Sequence, residues 1–104
     1  MNPFQNFFGS SQTAINLKEL VDDGALLVDV RQPEEFAAGT ANGAINIPLG
    51  VLPAQLSRFE GKKHIIVFCR SGNRSETARL ILESKGIGNV VNGGSLDDVV
   101  RQLG

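Results

Sequence analysis

Apolar and polar positions follow two rhythms along the chain. Continuous apolar runs at residues 25–30 and 65–68 predict strands buried on both faces, and shorter runs at 44–47 and 89–91 predict brief strands. Between them the apolar positions recur at helical spacing. Asn16 and Glu19 form an Asn-x-x-Glu capping box before Leu20 and Val21, which predicts a short helix stopped near Gly24. Pro33, Glu34 and Glu35 open a second helix and Gly39 ends it. Leu52, Leu56 and Phe59 predict a helix over 53–59. Ala78, Ile81 and Leu82 stripe the longest helix, 75–85, which Gly86 stops. Gly93-Gly94 reads as a turn into a last helix carrying Leu96, Val99, Val100 and Leu103. Strands alternating with helices predict an α/β domain with a small, mostly parallel sheet.

The length, 104 residues, suits one domain. Residues 1–12 read as a short polar arm, and 13–104 as the domain. At 41% hydrophobic and 20% charged the chain has the balance of an ordinary globule, able to bury roughly 60–70% of its unfolded surface. A net charge of −1 disfavours nucleic acid or an anionic membrane as partner. No apolar run approaches the ~20 residues of a membrane helix. Residues 1–11 carry no Lys or Arg and do not resemble an export signal, so a cytoplasmic location is expected, or a periplasmic one if a signal has been removed. One cysteine and one histidine make neither a disulfide nor a zinc site.

The candidate chemistry sits in Cys69-Arg70-Ser71-Gly72-Asn73-Arg74-Ser75, between a buried strand and the longest helix. Functional groups gather at the carboxyl ends of parallel strands, and Cys69 is at such an end. Ser71, Gly72 and Asn73 allow a tight curl, and a tight curl feeding a helix makes a nest of N–H groups. With Arg70 and Arg74 nearby, this environment favours thiolate over thiol. His64 lies five residues earlier on an extended strand, about 16 Å away, so a Cys-His dyad is not expected; it reads as a solvated residue beside Lys62 and Lys63. The alternative reading of Cys69 is a small packing residue. Asp29 and Arg31 end another predicted strand on the same side. Either they line or brace the site, or Asp29 caps the next turn and Arg31 pairs with Glu34 or Glu35.

The run from Cys69 to Ser75 resembles the active-site loop of the rhodanese-like sulfurtransferases in their single-domain form. Asp29-Val30-Arg31, Pro33-Glu34-Glu35-Phe36 and Gly43-Ala44-Ile45-Asn46-Ile47-Pro48 resemble that family's N-terminal signature, and Gly93-Gly94 its C-terminal glycine pair. The Asn92-Gly93-Gly94-Ser95-Leu96 ending is similar to the phage-shock-protein-E branch. The resemblance implies a sheet flanked by helices on both faces. It implies a Cys69 persulfide that moves sulfane sulfur from a donor such as thiosulfate to cyanide, a small thiol or a thiol-bearing protein, without cofactor or metal. Backbone N–H groups of residues 70–74 would hold the terminal sulfur, and Arg70 would face the entrance. Related phosphatases need an Arg six positions after the Cys; here that position is Ser75, and Arg74 comes one earlier, leaving a smaller cradle. A non-catalytic binding module of the same fold, a phosphatase and a redox sensor are the alternatives.

Overall fold

Apolar runs become strands and periodic stretches become helices, close to where the pattern puts them. The computed structural model describes residues 15–104, so the predicted arm lies outside the described residues. The order is α1 (Leu17–Asp22), β1 (Leu26–Asp29), α2 (Pro33–Ala38), β2 (Ile45–Asn46), a 3-10 segment (Leu49–Phe59), β3 (Ile65–Cys69), α3 (Asn73–Ser84), β4 (Val90–Ser95) and α4 (Leu96–Leu103). The strands pair in the order β2-β1-β3-β4, all parallel.

β3 is central, and each of its residues is buried. Its side chains alternate between two cores. Ile65, Val67 and Cys69 pack with Leu52 and Phe59 of the 3-10 segment and Ala78 and Leu82 of α3. Ile66 and Phe68 pack with Leu17 of α1 and Val99 of α4. Helices therefore cover both faces, which is why β3 reads as an unbroken apolar run. Burying each large side chain stabilises the fold by about 1.5–3 kcal/mol. That burial also fixes where the carboxyl end of β3, and hence Cys69, comes to rest.

The expected Asn16–Glu19 capping box is half made, with only the bond from the Glu19 N–H to the Asn16 side chain present, and Ser95 supplies a cap that the pattern did not announce. Asn16 Oδ1 accepts from the Glu19 N–H at 3.2 Å, and Ser95 Oγ accepts from the Asp98 N–H at 3.0 Å. Two expectations need correction. Gly93-Gly94 is not a turn but part of β4. Val67 pairs with Asn92 and Phe68 with Gly94, so Gly93 is an extra residue, a bulge. A Cβ on Gly93 would lie 3.0 Å from Ile66 Cγ2 and 3.1 Å from Val99 Cγ2. The glycine is needed for this close approach to the core, not for chain reversal. The helix expected over 53–59 is instead a 3-10 segment starting at Leu49. Pro53 supplies no N–H, and Gln55 (φ −120°, ψ 25°) leaves the helical region, so a regular α-helix is interrupted.

Candidate active site

The chain leaves β3 at Cys69 and turns at once. Gly72 takes the left-handed conformation (φ +98°, ψ −9°), and α3 begins one residue later, earlier than the helical periodicity suggests. The turn folds the backbone around the cysteine sulfur. The Gly72 N–H donates to Cys69 Sγ at 3.0 Å and the Ser75 N–H at 3.4 Å; Ser75 Oγ also lies 3.4 Å from Sγ. Cys69 and Ser75 are fully buried. Burial pushes the Cys69 thiol up, the main-chain N–H groups of Ser75, Ser71 and Gly72 converging on it oppose that, and the thiol is held below its ordinary value. Of the N–H groups expected from residues 70–74, that of Gly72 donates to the sulfur, joined by that of Ser75, and Cys69 is at once a packed strand residue and the acceptor of both.

The loop's two arginines divide. Arg70 is exposed. Arg74 is committed: its Nη1 donates to Glu35 Oε1 at 2.7 Å and its Nη2 to Glu35 Oε2 at 3.1 Å, a two-pronged bond from α3 to α2. Ser71 and Asn73 are exposed, so these two contribute their backbone shape. The Arg74 guanidinium, helped by the Gln32 N–H, holds the Glu35 carboxyl down at about 2 from its ordinary 4.5. A carboxylate with a depressed folded value stabilises the fold above its unfolded value and loses that contribution as pH falls. Glu35→Gln is therefore expected to lower Tm at neutral pH, and the gap from the parent protein to close as pH falls from 4.5 towards about 2. Thermal melts across that window check it; a gap that does not change with pH contradicts it.

Asp29 and Arg31 form a buried brace beside the loop. Asp29 caps the turn, as one reading expected: its Oδ1 accepts from the Arg31 N–H at 2.9 Å. The pairing of Arg31 with Glu34 or Glu35 is corrected. Arg31 Nη2 donates to Asp29 Oδ2 at 2.8 Å and to the Gly39 carbonyl at 2.7 Å. Thr40 Oγ1 donates to Asp29 Oδ2 at 2.8 Å as well. A carboxylate with no exposure demands a charged partner, and the turn brings Arg31 back to it, whereas Glu35 is claimed by Arg74. The bond to Asp29 holds the Arg31 guanidinium above its ordinary value. Neither side chain hydrogen-bonds to the sulfur. They fix the end of β1 against the end of α2.

His64 stands at the other end of β3, where its Nε2 lies 2.9 Å from Asp23 Oδ2, a partner that Lys63 shares. It is separated from Cys69 by the strand's length, as expected. The residue that sequence reasoning missed is Asn92. Its Nδ2 donates to the Gly72 carbonyl at 3.1 Å, and its Oδ1 lies 2.7 Å from Ser75 Oγ. A cleft of about 590 Å³ borders the loop, lined in part by Arg31, Glu35, Gly39, Thr40, Arg70 and Asp97. It is mixed in charge and opens at the carboxyl end of the sheet.

Comparison with known proteins gives consistent findings. The profile of the rhodanese-like domain family matches residues 13–97. A protein of Allochromatium vinosum named a sulfurtransferase is 36% identical over 70 residues, covering 67% of this chain and 65% of its own length. The Escherichia coli thiosulfate sulfurtransferase PspE is 35% identical over 74 residues, covering 69% and 71%. The chain thus spans less than two-thirds of the Allochromatium relative, and 39% of a 40%-identical Synechocystis protein. Among solved structures, the human single-domain sulfurtransferase TSTD1 superposes with a TM-score of 0.70 at 31% identity, covering 83% of this chain and 90% of that one.

Proposed function

Because the chain belongs to the rhodanese-like domain family, we propose that it is a sulfurtransferase in which Cys69 carries the transferred sulfur as a persulfide. The observation that carries this reading is the pair of N–H donors on Sγ, from Gly72 at 3.0 Å and Ser75 at 3.4 Å. The Cys69 thiolate attacks the outer sulfur of a sulfane donor such as thiosulfate. The donor's S–S bond breaks, its electron pair leaves on sulfite, and Cys69 holds an anionic persulfide. A nucleophilic acceptor, cyanide in an assay or a thiolate in the cell, then takes the terminal sulfur. The electron pair of the persulfide bond returns to Cys69 as thiolate. Two displacements in sequence balance, with no cofactor involved.

The N–H groups of residues 70–74 are the donors for the terminal sulfur, as an oxyanion hole is for oxygen. Arg70, exposed beside the cleft, attracts anionic donors. Arg74 braces the loop instead, since both of its prongs are engaged by Glu35. That engagement also weighs against phosphoryl transfer, in which an arginine of the loop must be free to hold the phosphoryl oxygens. The Asp29–Arg31 pair supports the site from beneath. The names of the Allochromatium and Escherichia relatives agree with this chemistry.

The test is intact mass after incubation with thiosulfate. A gain of one sulfur atom, removed by cyanide with release of thiocyanate, is expected. Hydrolysis of an aryl phosphate without any such gain would make the protein a phosphatase; neither activity would leave a binding module.

A further inference from the structure

Ser75 has one hydroxyl proton and two neighbours for it. Its oxygen lies 3.4 Å from Cys69 Sγ and 2.7 Å from Asn92 Oδ1. The orientation of the Asn92 amide is set from both ends. The Gly94 N–H donates to Oδ1 at 2.9 Å, and Nδ2 donates to the Gly72 carbonyl at 3.1 Å and to Glu76 Oε1 at 3.2 Å. A main-chain N–H only donates and a carbonyl only accepts, so the amide oxygen must be the atom that faces Ser75. An amide oxygen has no proton to give. The 2.7 Å contact therefore makes Ser75 the donor, at the ideal distance for O–H···O. The hydroxyl then turns a lone pair towards the sulfur. A lone pair accepts from a neutral S–H and does nothing for a thiolate.

We propose that Asn92 is a positioning residue that withholds the Ser75 proton from Cys69, so that main-chain N–H groups alone carry the thiolate. The inference rests on the proposed function only in taking the thiolate as the working form. It has a consequence for that function. Loading moves the negative charge from Sγ to the terminal sulfur, one atom further from the lone pair. The arrangement therefore favours the loaded protein over the bare thiolate.

The charged groups on the elements around the thiol are Asp29 at the end of β1 and Arg31 after it, Glu34 and Glu35 of α2, Arg70 of the loop, Arg74, Glu76, Arg79 and Glu83 of α3, and Asp97, Asp98 and Arg101 of α4. The 3-10 segment meets the sulfur's side of the sheet through Leu52 and Phe59, with Arg58 exposed, and β4 carries no charge. Asp29, Glu35, Glu76 and Asp98 are each paired with an arginine. The variants below remove no charge.

The experiment is a pH titration of the thiolate by its ultraviolet absorbance, read on a chain with one cysteine and no tyrosine or tryptophan to mask it. Asn92→Ala frees the Ser75 proton for the sulfur and is expected to raise the acid dissociation constant roughly tenfold, the scale of one hydrogen bond to a charge. In a Ser75→Ala background the same substitution has no such effect. Ser75→Ala alone leaves the titration where it is or moves it to lower pH, because no donor to the thiolate is lost. This variant tests the idea even if Asn92→Ala does not fold. A rise in the thiol's titration point on Ser75→Ala overturns the proposal. So does Asn92→Ala that weakens or leaves the acidity, as a merely structural clamp on Gly72 would, or that strengthens it equally without Ser75. Thiosulfate loading of the parent protein, measured in parallel, separates the two ideas. Its absence ends the sulfurtransferase reading and leaves the titration result standing.

Discussion

Cys69→Ser is expected to abolish sulfur transfer from thiosulfate to cyanide, with a loss of roughly 10⁴-fold or more, the scale seen when a covalent nucleophile is removed. The reason is ionisation and bond chemistry together. The cradle holds a thiol below its ordinary value, but a hydroxyl starts far above and stays protonated. Oxygen also cannot form the easily broken S–S bond on which the second displacement depends. The fold should persist. Serine is close to cysteine in size, and the N–H groups of Gly72 and Ser75 that now point at Sγ can donate to its oxygen. Circular dichroism and a cooperative melt would show this. The mass gain with thiosulfate should vanish in the same sample. Appreciable turnover by a folded Cys69→Ser protein would remove Cys69 as the sulfur carrier.

Gly72→Ala tests the cradle rather than the thiol. At φ +98° an alanine is strained by about 1–2 kcal/mol. Space is not the obstacle, because the new Cβ would lie 3.5 Å from Gly94 Cα, an ordinary contact. The strain is relieved by rotating the peptide before residue 72, which swings its N–H away from the sulfur. Removal of one such donor costs ~10²–10³ in rate in comparable anion holes. A loss of about 10²-fold in kcat/KM is expected, with Tm lowered and the thiol's titration moved to higher pH. If Gly72→Ala lost stability but kept full activity, the Gly72 N–H would have no part in the reaction.

The central sheet was legible because β1 and β3 are covered on both sides, and double burial leaves an uninterrupted apolar signature. The cysteine loop was legible because its turn chemistry is local: glycine, small polar residues and a helix start lie side by side. What was hidden is non-local. The partner of Arg74 is Glu35, 39 residues away, and only the fold brings α2 to the start of α3. Asn92 falls just past the strand expected over 89–91, beside the glycine pair, yet it touches both Gly72 and Ser75. Gly93 looked like a turn because glycine pairs usually are one. The packing of Ile66 and Val99 that demands it comes from two separate elements. The 3-10 segment kept its apolar spacing but lost regularity to Pro53, a local penalty that periodicity alone does not weigh.

The parallel ladder also ties reactivity to the progress of folding. Leu26 pairs with Ile65, and Ile65 with Val90, so the sheet closes only when distant parts of the chain have met. Such non-local pairing is slow. A nascent or unfolded chain therefore presents an ordinary thiol, mostly protonated at neutral pH. The lowered thiol value arrives only once the turn after β3 has closed its N–H groups on the sulfur, so the reactivity of Cys69 belongs to the assembled fold and not to the chain.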